Sequence, residues 1–216
     1  MQVFHRSTNV ISRFTIFGGL FLLGALTFGL ATVNRSSWVT RQGIAREQPV
    51  QFSHMHHAGE LGIDCRYCHT TVETAARAGL PSTGVCLTCH DQLFRDQPLL
   101  DALHLSMAQN RPIPWQQVHV LPDFVYFDHS VHVAKGVACV ECHGRIDQMP
   151  LTWRASPMQM QWCLACHRDP APHLRPRAQV FAMDAPRATP AHAAALARAA
   201  HVESPRRMTD CSTCHR

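Results

Sequence analysis

At 216 residues the chain is long enough for one ordinary domain, or for a smaller one with an additional segment. Aromatic residues make up only 7%, while 14 Pro, 11 Gly and 16 His are spread along the sequence, which argues against a conventional layered core and for loops and metal ligation. The formal charge of +5 rests almost wholly on arginine, Lys135 being the only lysine, and raises nucleic acid or anionic lipid as partners unless another anion accounts for it.

Taken in chain order, residues 1–13 read as a short cytoplasmic stub. Residues 14–33, from Phe14 to Val33, form an uncharged run bounded by Arg13 and Arg35, which is the length of a membrane-spanning helix. A cleaved secretory signal would have a shorter apolar part, and Ala31-Thr32-Val33 makes a poor cleavage site, so a retained anchor is expected. Ala25 and Gly29 offer a weak small-residue strip for another helix. A linker follows over 34–50, and the remainder, 51–216, is the functional domain.

All ten cysteines of that domain fall in five copies of one pattern, Cys-x-x-Cys-His: Cys65, Cys68 and His69; Cys86, Cys89 and His90; Cys139, Cys142 and His143; Cys163, Cys166 and His167; Cys211, Cys214 and His215. Two thiols at this spacing can add to the vinyl groups on one edge of a haem, and the next residue then sets an imidazole on the iron. Zinc gives no reason for a histidine after every pair, and five pairs do not divide into four-cysteine sites. Disulfides need no such histidine either. Five covalently bound haem c groups are therefore expected. Their carboxylate arms attract arginine and roughly cancel the excess charge, so no nucleic-acid partner is expected.

The motifs fall into two pairs and a singleton. Before each pair stands the same device: Phe52, His54 and His57 ahead of Cys65, and Phe127, His129 and His132 ahead of Cys139. Gly62 and Gly136 stand three residues before the first cysteine of each pair, and the two copies are offset by roughly 75 residues, an internal repeat of two-haem modules. Between the modules, Pro98 to Asn110 carries Leu99, Leu100, Leu103 and Met107 at helical spacing. Thr189-Pro190 opens an alanine-rich helix through Ala200. The fold class is accordingly mainly α with extensive irregular loops: one N-terminal transmembrane helix, then a multihaem cytochrome c domain of two two-haem modules and a fifth haem.

The motif histidines serve as proximal ligands. His54, His57, His129 and His132 are the leading distal ligands, because they recur at equivalent positions beside the motifs. For the fifth iron the choice leans to His119, in competition with His201 and with Met149, Met160, Met183 and Met208. With both axial positions filled an iron has no place for substrate, so the expected chemistry is electron transfer, and no acid–base constellation asks for a catalytic residue. Covalent attachment of this type is expected outside the cytoplasm, which puts the haem domain on the periplasmic side of the inner membrane.

The two repeat devices, with Gln51 to Glu73 (QFSHMHHAGELGIDCRYCHTTVE), Val118 to His132 (VHVLPDFVYFDHSVH), Cys142 to Leu151 (CHGRIDQMPL), Gln161 to Arg168 (QWCLACHR) and the terminal DCSTCHR, closely resemble the pentahaem subunit of alternative complex III, over most of residues 51–216. The resemblance implies a quinol:electron-acceptor oxidoreductase in which this subunit takes electrons from an iron–sulfur subunit, alongside integral membrane subunits. It would deliver them to a monohaem cytochrome c or a terminal oxidase. A free-standing membrane quinol dehydrogenase and a multihaem terminal reductase are the alternatives.

Overall fold

The computed structural model describes residues 4–215. It divides into two compact units, 1–42 and 43–216. Among the described residues there is no β-strand, only isolated bridges such as Ala45 with Trp153 and Val125 with His215.

The first unit is dominated by α1 (Arg6–Arg35), thirty residues long. At 1.5 Å per residue it extends about 45 Å, which exceeds the roughly 30 Å of a bilayer's hydrocarbon core. The helix thus overruns the uncharged stretch 14–33 at both ends and is flanked by Arg6 and Arg35. His5 caps it by accepting from the Ser7 amide. Its large side chains are exposed, Phe14 at 76% and Phe21 at 74%. In water that face would be costly; it is long and apolar enough to cross a membrane. A one-turn helix, α2 (Ser37–Thr40), follows and ends at Arg41, which takes a left-handed conformation.

The second unit strings short helices between irregular segments: a π-turn (Met55–Glu60), α3 (Cys65–Cys68), α4 (Thr83–His90), α5 (Asp101–Ala108), α6 (His129–Ala134), α7 (Cys139–His143), α8 (Met160–Arg168), α9 (Pro190–Ala199), α10 (Pro205–Met208) and α11 (Cys211–Cys214). Residues 43–50, read from sequence as the end of a linker, are tied into this unit. Arg46 donates to the Gln117 carbonyl, and Gln48 pairs with the backbone of Gln116 in both directions.

Its apolar packing is sparse. Val50, Leu100, Leu103 and Ile113 cluster beside α4 and α5, and Val72, Val133 and Val180 form a second group. Of the stripe expected on α5 and the turn before it, Leu100 and Leu103 are buried, whereas Leu99 and Met107 are exposed. Among the described residues the largest fully buried side chains are Leu174 and Val180. So little protein core implies that something else fills the interior beside the motifs. The caps are local and legible: Asp64 on α3, Asp128 on α6, Thr189 on α9 and Asp210 on α11 each accept a backbone N–H of the first turn.

Two glycines decide close approaches. Gly136 has φ +88°, and a Cβ there would lie 2.6 Å from the Arg175 carbonyl. Gly59, in the π-turn, backs directly onto the Asp147 carbonyl in the turn Ile146–Gln148. Gly62, the counterpart of Gly136 in the repeat, is also left-handed, at φ +66°.

Candidate multihaem site

Each Cys-x-x-Cys-His motif lies on a helical turn, so both thiols emerge on one side and the histidine follows at the end of the turn. The two repeat devices then bring a second imidazole to each of four motifs. His54 lies 6.5 Å from His69, ring centre to ring centre, and His57 lies 6.1 Å from His90. In the second copy His129 lies 6.4 Å from His143, and His132 lies 6.2 Å from His167. The aromatic residue heading each copy orders both rings. Phe52 stacks on His57 at 4.4 Å and meets His54 edge-on at 4.9 Å; Phe127 stacks on His132 at 4.4 Å and meets His129 edge-on at 4.8 Å. The geometry repeats although the backbone differs, a π-turn in the first copy and an α-helix in the second.

Four imidazole pairs at one separation test whether haem fits. An iron bound by two imidazoles at metal–nitrogen distances of about 2 Å sets their ring centres roughly 6 Å apart. Among the described residues no three His, Cys, Asp or Glu side chains converge as a bare metal ion would require, and the ten cysteines are unpaired.

The ring nitrogens point the same way. In seven of these histidines Nδ1 lies at a backbone carbonyl: His57 at Ser53, His69 at Gly79, His90 at Leu93, His129 at Ala76, His132 at Asp128, His167 at Met208 and His215 at Phe124, over 2.6 to 3.1 Å. A carbonyl only accepts, so each Nδ1 carries the proton and donates, which leaves the Nε2 lone pair bare for a metal. His54 Nδ1 is instead 2.9 Å from the Thr152 hydroxyl.

His143 Nδ1 is 3.3 Å from Nε2 of His119. His119, expected from sequence at the fifth iron, is therefore set against the third motif. Its ring centre is 4.4 Å from that of His143 at 72°. At the fifth motif the ring beside His215 is Phe124, 5.8 Å away.

Burial favours the neutral form of His54, His119, His132 and His143. It is the first cause pushing His54 to about 4, reinforced by His69, His57 and His119, and it takes His143 to about 3, with His119 and His129 adding. His119 falls to about 4 through burial and the neighbouring Arg154 cation, and burial lowers His132 too. Burial likewise pushes the Cys139 and Cys142 thiols up to about 12 and Cys166 to about 11. The surroundings suit apolar thioether links better than thiolates.

Neighbouring thiols order the sites. After burial, Cys68 acts on Cys86, Cys65 on Cys139, Cys166 and Cys163 on Cys142, and Cys214 on Cys163. Tyr67 and Thr88, each inside a motif, also share a 2.9 Å hydroxyl bond between the first two. The sites thus run second, first, third, fourth, fifth, which is not their sequence order. The fifth is docked by the Tyr126 amide donating to the Cys214 carbonyl.

Two features of this ensemble carry no sequence signal that singled them out. Glu141, inside the third motif, is 7% exposed and meets His173 at 2.8 Å, Arg187 at 3.2 Å and the equally buried Arg175 at 3.5 Å. Nε of Arg175 is buried without an acceptor, the kind of donor a haem carboxylate arm satisfies. The charged residue between two cysteines and the arginine-rich composition were the only hints.

A helical unit with these thiol pairs and facing imidazoles is a multihaem c-type cytochrome, and such cytochromes hold haem c covalently. Residues 125–216 match the family model of cytochrome c7 and related cytochrome c, and residues 32–113 match that of the class III cytochrome c family. The chain is also similar to the multihaem cytochrome c subunit of menaquinone reductase from Nitratidesulfovibrio vulgaris, strain Hildenborough, 30% identical over 128 residues that cover 58% of this chain. The match spans about half, 54%, of that relative's length.

Proposed function

We propose that this chain is the electron-transfer subunit of a membrane complex that exchanges electrons with quinone, and that it carries five haem c groups. The observation that carries the reading is the fourfold recurrence of facing imidazoles 6.1 to 6.5 Å apart, each pair beside a thiol pair. In this reading Cys65, Cys68, Cys86, Cys89, Cys139, Cys142, Cys163, Cys166, Cys211 and Cys214 form the thioether links. The axial pairs are His69 with His54, His90 with His57, His143 with His129 and His167 with His132, and His215 is the proximal ligand of the fifth. Haem c at these sites supplies reversible one-electron transfer.

The chain's own residues do the rest. Backbone carbonyls hold the Nδ1 protons and so present Nε2. Phe52 and Phe127 each hold two rings, one edge-on and one stacked, which lets a single short segment serve two sites. At four of the five sites two facing imidazoles leave no free position for a substrate, which favours a conduit over a reductase. Residues 1–13 would lie inside, 14–33 in the membrane, and 51–216 on the periplasmic side, with 34–50 between them.

The resemblance to alternative complex III supports an iron–sulfur subunit and integral membrane subunits as donors and neighbours, with a monohaem cytochrome c or a terminal oxidase as acceptor. A second reading takes the opposite direction, delivery of electrons to menaquinone, and is favoured by the name of the relative from N. vulgaris. One membrane helix offers little material for a quinone pocket in either case, so quinone chemistry belongs to a partner.

The test is gentle detergent extraction of the tagged chain from its native membrane, identification of the subunits that copurify, and assay of quinol oxidation against quinone reduction. Copurifying iron–sulfur and polytopic subunits, with turnover by the complex and none by the chain alone, are expected. Steady quinol turnover by the isolated chain would overturn the conduit reading and put the free-standing dehydrogenase first.

A further inference from the structure

Among the nine histidines proposed above as ligands, His143 alone has another imidazole at Nδ1. Seven face backbone carbonyls and His54 faces a hydroxyl, whereas His143 Nδ1 meets His119 Nε2 at 3.3 Å. The segment that presents His119 is built to hold it. Arg154 donates to the carbonyls on either side, Val118 at 3.3 Å and Val120 at 3.0 Å. Two residues upstream and three upstream, Arg46 and Gln48 pin the carbonyls of Gln117 and Gln116, both over 2.8 Å.

We infer that His119 is a positioning residue of the third site: it accepts the Nδ1 proton of His143 and lowers the reduction potential of that haem relative to the others. The inference rests on the proposed haem ligation. A pyridine-type imidazole nitrogen is a stronger base than an amide carbonyl, so the hydrogen bond it accepts draws the proton further from His143. The His143 ring gains negative character, becomes a stronger donor through Nε2, and favours the oxidised iron. The third site stands at the centre of the order second, first, third, fourth, fifth. A change there is placed to alter the energetics of passage between the two modules.

The experiment is a redox titration of the holoprotein with parallel optical and electron paramagnetic resonance spectra, in wild type, His119→Gln and His119→Phe. In His119→Phe one of the five redox steps should move to higher potential, four should stay, and the spin state of every iron should match the wild type. His119→Gln offers an amide oxygen in place of the imidazole nitrogen and should shift the same step upward by less, so it carries the test if the phenylalanine variant yields no holoprotein. An unshifted titration in both variants would overturn the inference, as would appearance of a high-spin iron absent from the wild type, which would make His119 an axial ligand. Absence of covalent haem in the wild type would sink the underlying ligation instead, and is scored separately by intact mass.

Discussion

The rings of His132 and His167 face each other at 6.2 Å, although His132 belongs to the second repeat device and His167 lies on α8 beyond the next motif. Its companion His129 pairs at 6.4 Å with His143 of the nearer motif, so one turn of α6 serves two sites. The first copy does the same with His54 and His57. Replacing His132 by Met should raise the potential of one haem and leave four nearly unchanged, because a thioether replaces imidazole at a single iron. A redox titration that resolves the individual steps checks this, and a low-spin spectrum and titration unaltered in His132→Ala would show that His132 is no ligand.

Complete use of the ten cysteines in five motifs leads to a definite mass. The denatured chain, run intact in acidic solvent, should carry five haems. Loss of the pigment into acidified organic solvent would refute covalent attachment, and a mass with four haems would identify one motif as unmodified.

Gly136 holds φ +88° within 2.6 Å of the Arg175 carbonyl, and Gly62 holds φ +66° with open space around its α-carbon. Alanine at either position takes on left-handed strain of about 1–2 kcal/mol, and at Gly136 the backbone contact adds to it. Thermal melts should therefore rank wild type above Gly62→Ala, and Gly62→Ala above Gly136→Ala, with holoprotein yield following the same order.

Glu141 is the carboxylate partner of Arg175, both less than a tenth exposed. Glu141→Leu leaves that cation buried without its partner, which costs on the order of 3 kcal/mol. Denaturant unfolding of the variant should show it, while Arg187→Ala, removing a partner that is 66% exposed, should change stability by under about 1 kcal/mol.

Arg145 donates to Asp147 from two nitrogens, at 2.8 and 2.7 Å, and holds its carboxyl below the usual value of 3.8. A depressed carboxyl contributes stability above its unfolded value that is lost as pH falls through the folded one. The gap in thermal midpoint between wild type and Asp147→Asn should be present at neutral pH, worth about 1 kcal/mol or less, and should close below about pH 4. A gap that persisted undiminished at low pH would assign the effect to packing of Asp147 beneath Gly59.

Much of this protein was legible in its sequence because the decisive chemistry is local. Thioether spacing, the Phe-x-His-x-x-His devices, the positive-φ glycines three residues before a cysteine, the capped α9 and the apolar α1 all lie within one or two turns of chain. Residue type and spacing suffice for such features. The expected alternation of two modules and a singleton reappears in which imidazole faces which, each device pairing with its own two motifs.

What only the tertiary structure decided involves partners far apart in sequence or without distinctive side chains. Met208 and Phe124 hold the imidazoles of His167 and His215 through backbone carbonyls, which every residue has, so no sequence pattern marks them. The same holds for the order of the sites, which follows from how loops of different length fold back, and for the exposure of Leu99 and Met107 on a stripe that looked uniformly apolar. His119 shows the limit most clearly. Expected from sequence at the fifth iron, it lies with Nε2 3.3 Å from Nδ1 of His143, a placement set by how the 23 residues between them fold.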